Sequence, residues 1–254
     1  MNIIVMGGRG LVGRNIIERL RSQGHRVSAA SRSSGVDLVT GQGLLENLVG
    51  ADVVVDVSNS PTFDDMAAFE FFRAAIFNLL YAEKRAGVKH HVSLSVVGTG
   101  RLEASPYLRG KALQQRVIQS SGIPFTIVQA TQFFEFLLDI ITYATGDQTI
   151  HLSPAYIEPV ASDDVAATIA RVAVGPPRNG SIEIAGPERA RMSQLIQRFV
   201  LDMEAPYDVR TDVHAPYFGA TLDEFVLLPR EDAERGKLGF QAWFKQSEYA
   251  RADW

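Results

Sequence analysis

Tyr107 and Lys111 stand four residues apart in the stretch SPYLRGKALQQ, which begins at Ser105. On a helix that spacing puts both side chains on one face. A phenol and an ammonium so placed can pass a proton. With an unperturbed pKa of about 10 the phenol is a poor base at pH 7, so a neighbouring cation has a chemical job. Spacing alone does not separate such a relay from two packed surface residues. With seven tyrosines and five lysines in 254 residues, roughly one shuffled sequence in seven carries the pair.

A second candidate is the loop GGRGLVG at residues 7–13. It satisfies both Gly8-x-Gly10-x-x-Gly13 and Gly7-x-x-Gly10-x-x-Gly13, after an apolar run, NIIVMG (2–7), and at the start of a helical pattern. Glycines there allow a tight turn and close approach of a pyrophosphate to a helix N-terminus, whose free N–H groups favour anions. Gly7, Arg9, Gly10, Leu11, Val12 and Gly13 are the expected dinucleotide contacts. The second strand ends VSAASRSSG. It lacks the acid that usually holds a ribose 2′-hydroxyl and carries Ser31 and Arg32 in its place, which suits a 2′-phosphate. Arg9 can approach the same phosphate. NADP(H) is the expected cofactor.

These residues need a scaffold, and the chain supplies a regular one. LVGRNIIERLRSQG (11–24) reads as a helix with Val12, Ile16, Ile17 and Leu20 on one face. Strands follow at 25–31, 51–58, 88–98 and 123–131, and helices at 41–50, from Asp64 to Gly87, and at 105–122. In the last of these Ser105 is the expected N-cap and Pro106 opens the first turn. Strand and helix in alternation imply a parallel sheet with right-handed crossovers, whose ligands bind at the carboxyl ends of the strands. Past residue 146 the pattern loosens, with a helix at 162–175, a strand at 180–186 and a helix at 193–203. The expected fold is α/β: a Rossmann-type doubly wound parallel sheet over residues 1–145, with a smaller C-terminal α+β substrate lobe over 146–254 packed on it.

Composition excludes several classes. Cysteine is absent, which removes disulfides, thiolate metal sites and Cys nucleophiles. A net charge of −4 with no basic stripe disfavours nucleic acid. No run reaches the ~18–20 apolar residues of a membrane span, and MNIIVMGG lacks a basic leader, so a cytoplasmic protein is expected. Adjacent strand residues face opposite ways, so His90 and His91 do not make a metal site, and His25, His151 and His214 are scattered. Asp163 and Asp164 open a helix, where capping and complementation of the helix dipole account for them. TQFFEFLLDIITYA (131–144) reads as a helix, serving the core or lining a hydrophobic pocket. No Gly-x-Ser-x-Gly motif is present, against an α/β-hydrolase.

With the glycine loop, the strand ADVVVDVSNS and Tyr-x-x-x-Lys in that order, the chain resembles the short-chain dehydrogenase/reductase superfamily. More narrowly it resembles its atypical, NmrA-like NAD(P)-binding branch. The resemblance covers residues 1 to about 145, and EPVASDDVAATIA and GSIEIAGPE extend it to about 190. It implies that Tyr107 exchanges the substrate proton and that Lys111 holds the nicotinamide ribose and lowers the Tyr pKa. Ser95, in VSLSVVG, then orients the substrate oxygen, with Ser93 as the alternative. Asn59, in SNSP, is an expected neighbour of the cofactor ribose. Where relatives often carry Pro near the nicotinamide, this chain has Gln129-Ala130-Thr131. Two functions follow. One is an NADPH-dependent reductase of a carbonyl, quinone or activated C=C in a small molecule. The other is a non-catalytic NADP(H) sensor whose partner is a protein. Sugar-nucleotide epimerisation is a lesser alternative without a specific anchor in the sequence.

Overall fold

The β-branched runs assemble as one seven-stranded sheet, seen in a computed structural model that describes residues 1–63, 66–146 and 148–251. In chain order the first strands and helices are β1 (Asn2–Met6), α1 (Leu11–Ser22), β2 (Arg26–Ala30), α2 (Leu44–Leu48), β3 (Val53–Asp56) and α3 (Met66–Ala86). Next come β4 (His90–Val96), α4 (Pro106–Ser120), β5 (Phe125–Ala130) and α5 (Leu137–Ala144). The start expected for α3 at Asp64 lies outside the described residues. The remainder contains β6 (Thr145–Gly146), β7 (Thr149–Leu152), β8 (Tyr156–Ile157), α6 (Ser162–Val174), β9 (Gly180–Ala185) and β10 (Ala190–Arg191). It ends with α7 (Met192–Asp202), β11 (Asp208–Thr211), β12 (Glu234–Arg235) and α8 (Phe240–Gln246).

The sheet runs β2-β1-β3-β4-β5-β9-β12, and every pairing in it is parallel. This is the Rossmann-like α/β architecture. Alternation along the strands divides the core. Ile3, Val5, Val53 and Val55 face α1 and α6, while Ile4, Met6 and Val54 face α2 and α3. Both faces are buried, so the strands read as unbroken apolar runs. The order reverses between β1 and β3, and the glycine loop sits at the carboxyl end of β1, beside that reversal. A ligand crevice belongs there.

Residues from both sides of position 145 build this sheet, since β9 pairs with β5 and β12 with β9. Helix α6 likewise packs against α1, where Arg19 and Asp163 form an ion pair at 2.5 Å. The other C-terminal elements form a second core. In it Phe134, Phe199, Phe240 and Trp243 pack with ring centroids 5.2–6.3 Å apart. The stretch 131–144 is a 3-10 turn at Phe134–Phe136 followed by α5.

One expectation about α6 holds in its dipole half, with both acids in the first turn, and is corrected in its capping half. Asp163 and Asp164 do lie in its first turn, but neither caps it. Glu135 does so from a distance, accepting from the Ser162 N–H at 3.1 Å and from its hydroxyl at 2.7 Å. Asp164 instead accepts from the backbone N–H groups of Lys237 and Leu238. Its carboxylate anchors the irregular tail rather than its own helix.

Among the described residues, no helix is long and apolar enough to cross a membrane. His90 bonds Thr126 and His91 bonds Glu83, so the two rings have separate partners.

Candidate functional site

The glycine loop turns sharply at Gly7, whose φ of +76° suits glycine. A Cβ there would lie 2.8 Å from the Val57 carbonyl oxygen, and one on Gly8 would lie 2.8 Å from both Ala29 Cβ and Ile17 Cδ1. A Cβ on Gly13 would collide with the Gly7 carbonyl and the Gly8 Cα. Those three glycines are demanded by the protein's own packing. Gly10 is different: it is exposed, and the only neighbour a Cβ would meet is Gly7 O, at 3.3 Å. The space over Gly10 therefore belongs to something outside the chain, at the N-cap of a 12-residue helix with first-turn N–H groups open to an anion. That cradle fits the pyrophosphate of a dinucleotide.

Gly10, Leu11, Val12 and Gly13 line a cavity of about 310 Å³. Tyr107 and Lys111 line the same cavity, together with Ser58, Asn59, Ser95 and Thr131. Helix α4 positions the pair. Ser105 caps it by accepting from the Leu108 N–H, and Pro106 occupies its first turn, as expected. Gly110, inside α4, lets the helix close on Phe72, whose Cδ2 would lie 2.8 Å from an added Cβ. The Phe72 ring in turn meets Tyr107 edge-on at 5.3 Å.

Tyr107 is half-buried and donates its hydroxyl hydrogen to Asn59 Oδ1 at 2.9 Å. Burial pushes its pKa above the ordinary value, the nearby Tyr217 phenol adds to this, and the bond to Asn59 opposes it. Lys111 is buried. Its Nζ donates to the Leu94 carbonyl and to Gln114 Oε1, each at 3.1 Å, and sits 4.4 Å from the centre of the Phe72 ring. Burial lowers its pKa to about 8, against the pull of Asp56. Ser95 Oγ accepts from Gln115 Nε2 at 2.7 Å, so its hydroxyl lies beneath α4. Ser93 Oγ, on the same face of β4, has no hydrogen-bond partner among the described residues.

Gly7, Arg9, Ser31 and Arg32 do not line the cavity. Arg32 opens a 3-10 turn directly after β2, capped reciprocally by Ser31 and Ser34. Arg9 and Arg32 are both exposed. The next acid in the chain, Asp37, spends its carboxylate on the N–H groups of Val39 and Thr40.

Gln132 and Phe136 line the cavity from the stretch 131–144, expected to serve the core or a hydrophobic pocket, whereas Phe63, Tyr217 and Phe218 escape sequence reasoning. Tyr217 and Phe218 arrive on a tight turn in the irregular tail, closed by paired bonds between Tyr217 and Ala220. Phe218 is held there at φ +46°, a strained conformation for a bulky residue.

Residues 7–176 match the family described as NAD(P)H-binding. Among solved structures, MoeE5 in complex with UDP-glucose and NAD is 16% identical, with a TM-score of 0.76 over 99% of each chain. Thermus thermophilus UDP-glucose 4-epimerase in complex with NAD is 17% identical, with a TM-score of 0.72 over 100% of both chains. A short-chain dehydrogenase/reductase superfamily protein from Agrobacterium tumefaciens, with bound NAD, gives 16% and 0.72 over 99% of this chain and 97% of that one. At such identities the likeness is one of fold. Among curated proteins, the photosystem II assembly factor Ycf39 of Synechocystis is 26% identical over 152 residues, 54% of this chain and 47% of that protein. The same factor from Cyanophora paradoxa is 24% identical over the same shares. The chain thus spans about half the length of the curated relatives it matches. Family match, sheet order and glycine cradle agree: the chain belongs to the NAD(P)H-binding family.

Proposed function

We propose that the protein is an NADPH-dependent reductase acting on a carbonyl, quinone or activated C=C of a small molecule. The observation that carries this reading is that one cavity is lined both by the glycine cradle and by Tyr107 and Lys111. The dinucleotide, when bound, supplies the hydride. Tyr107 delivers its hydroxyl proton to the substrate oxygen, and Asn59, already bonded to that hydroxyl, keeps the phenol aimed. Lys111 holds the nicotinamide ribose, and its positive charge stabilises the phenolate left after proton transfer. Ser95 helps to orient the substrate oxygen. Arg32, with Ser31 and Arg9, takes the 2′-phosphate, which favours NADPH over NADH. A reducing, cytoplasmic setting suits a chain without cysteine.

A second reading is a non-catalytic NADP(H) sensor with a protein partner. It is supported by the names of the curated relatives, which are assembly factors, and by the raised pKa of Tyr107. The two readings separate in one experiment. NADPH oxidation is followed at 340 nm across a panel of carbonyls, quinones and enones. A reductase turns over at least one of them. A sensor binds NADPH tightly and oxidises it with none.

A further inference from the structure

The reductase reading leaves Gln132 unexplained. Its side chain is 6% exposed and lines the cavity, yet among the described residues neither Nε2 nor Oε1 makes a hydrogen bond of good geometry, the amide lying only near enough to the Tyr217 hydroxyl to act on it. A buried amide whose hydrogen-bonding groups go unmet is costly to the fold. Beside it stands Tyr217, 9% exposed, whose hydroxyl is close enough for Gln132 to ease the rise in its pKa, which burial carries to about 12. At neutral pH Tyr217 is therefore a phenol, a hydrogen-bond donor. It also lies near enough to Tyr107 to contribute to the rise in that phenol's pKa, and both line the cavity.

Much of the remaining lining is aromatic or aliphatic, including Phe63, Phe133, Phe136, Ile140 and Phe218, with the neutral polar groups of Ser58, Asn59, Ser95 and Thr131 besides. Among the lining residues the only cation is Lys111, which already bonds Leu94 and Gln114, and the only carboxylate is Asp139. No arginine lines the cavity, so a diphosphate or carboxylate substrate finds no partner there. A volume of about 310 Å³ lies at the small end for ligand pockets, and the nicotinamide end of the dinucleotide shares it.

We propose that Gln132 and Tyr217 are specificity-determining residues that hold the oxygen of a small, uncharged, flat ring carbonyl compound against Tyr107, with the phenylalanines on the ring faces. This rests on the reductase reading. Backbone strain at Phe218 fits it, because the turn that costs the chain energy is the one that delivers Tyr217 and Phe218 to the cavity.

The test uses 1,4-naphthoquinone as the probe and the full chain loaded with NADP+, which has no hydride to give, so that binding is read without turnover. Calorimetric titration compares wild type with Gln132→Leu and Tyr217→Phe, both close in shape to the originals. Each substitution is expected to weaken naphthoquinone about ten-fold and to leave NADP+ affinity unchanged. Gln132→Leu is also expected to raise the melting temperature, because it removes an unmet buried amide. UDP-glucose is expected not to bind at this site. The proposal is overturned if wild type fails to bind naphthoquinone, or if both variants bind it as wild type does. It is also overturned if Gln132→Leu weakens NADP+ instead, which would assign the amide to the cofactor's carboxamide, or if UDP-glucose binds more tightly than the quinone. Probe binding that depends on Gln132 and Tyr217 without NADPH oxidation upholds these two residues and removes the reductase reading alone.

Discussion

Lys111 is joined to Asp56 through one amide: Lys111 Nζ donates to Gln114 Oε1 at 3.1 Å, and Gln114 Nε2 donates to Asp56 Oδ2 at 2.8 Å. Asp56, 1% exposed, also accepts from the Ser58 N–H and hydroxyl. A cation at the cavity wall is thereby tied to a buried carboxylate at the end of β3, and its position is set by the sheet. Burial nonetheless brings its pKa down to about 8 from 10.5. Below pH 8 the ammonium is charged in both folded and unfolded chains, and the cost of burying it is fully present. Between about 8 and 10.5 only the unfolded chain keeps the proton, so this site's contribution to stability rises with pH. NADPH affinity should move the other way, weakening as pH passes 8 and the charge on the ribose side is lost. Titrating affinity and melting temperature from pH 6.5 to 10 checks both, and Lys111→Met should remove both dependences.

Replacing Tyr107 by Phe keeps the ring contacts with Phe63 and Phe72 and deletes only the hydroxyl. In a reductase kcat should fall at least ~10²-fold, the scale for a positioned general acid, with NADPH affinity nearly unchanged. Stability should drop by no more than about 1 kcal/mol for the lost bond to exposed Asn59. Steady-state kinetics and a urea melt on one preparation read all three. Unchanged turnover would remove Tyr107 from the chemistry.

Arg32→Ala should weaken NADPH at least ten-fold, about 1.4 kcal/mol, and leave NADH nearly unaffected. Equal losses for the two cofactors would refute the 2′-phosphate assignment. Fluorescence titration of the reduced nicotinamide distinguishes these results directly.

Gly10 and Gly13 should respond differently to substitution. Gly10→Val fills the open space over the cradle and should abolish dinucleotide binding while circular dichroism stays native. Gly13→Ala places its Cβ against the Gly7 carbonyl and should lower the melting temperature whether or not cofactor is present. A folded Gly10→Val that binds NADPH normally would make the loop only a turn.

His91 and Glu83, both 0% exposed, bond through Nδ1 at 2.8 Å. Burial works against charge on His91, but Glu83 and then Asp56 outweigh it and raise its pKa. His91→Leu strands the carboxylate and should cost about 3–5 kcal/mol at neutral pH. Burial already raises the Glu83 pKa above 4.5, so the loss should shrink as pH falls toward that value, where both states hold the proton. Urea melts at pH 7.5 and 5 measure the difference.

Local patterns carried much of this protein. Two alternating periods in the first 145 residues specify a parallel sheet, because strand and helix bury their apolar residues at different spacings. The loop at 7–13 and the Tyr107–Lys111 pair are equally local: a turn needing glycine and one face of one helix. Other features join segments with no common period. Asn59 meets Tyr107 across 48 residues, and Gln114 reaches Asp56 across 58. The sheet takes in β9 and β12 from beyond the expected boundary, because pairing depends on which strand edge is left open after the earlier crossovers close. Tyr217 and Phe218 come from a stretch without recognisable periodicity, and Gln132 is an ordinary polar residue until packing buries its amide and leaves it, among the described residues, without a hydrogen bond of good geometry. Such features arise only when distant segments compete for the same space, so that part of the cavity lining was decided by tertiary structure alone.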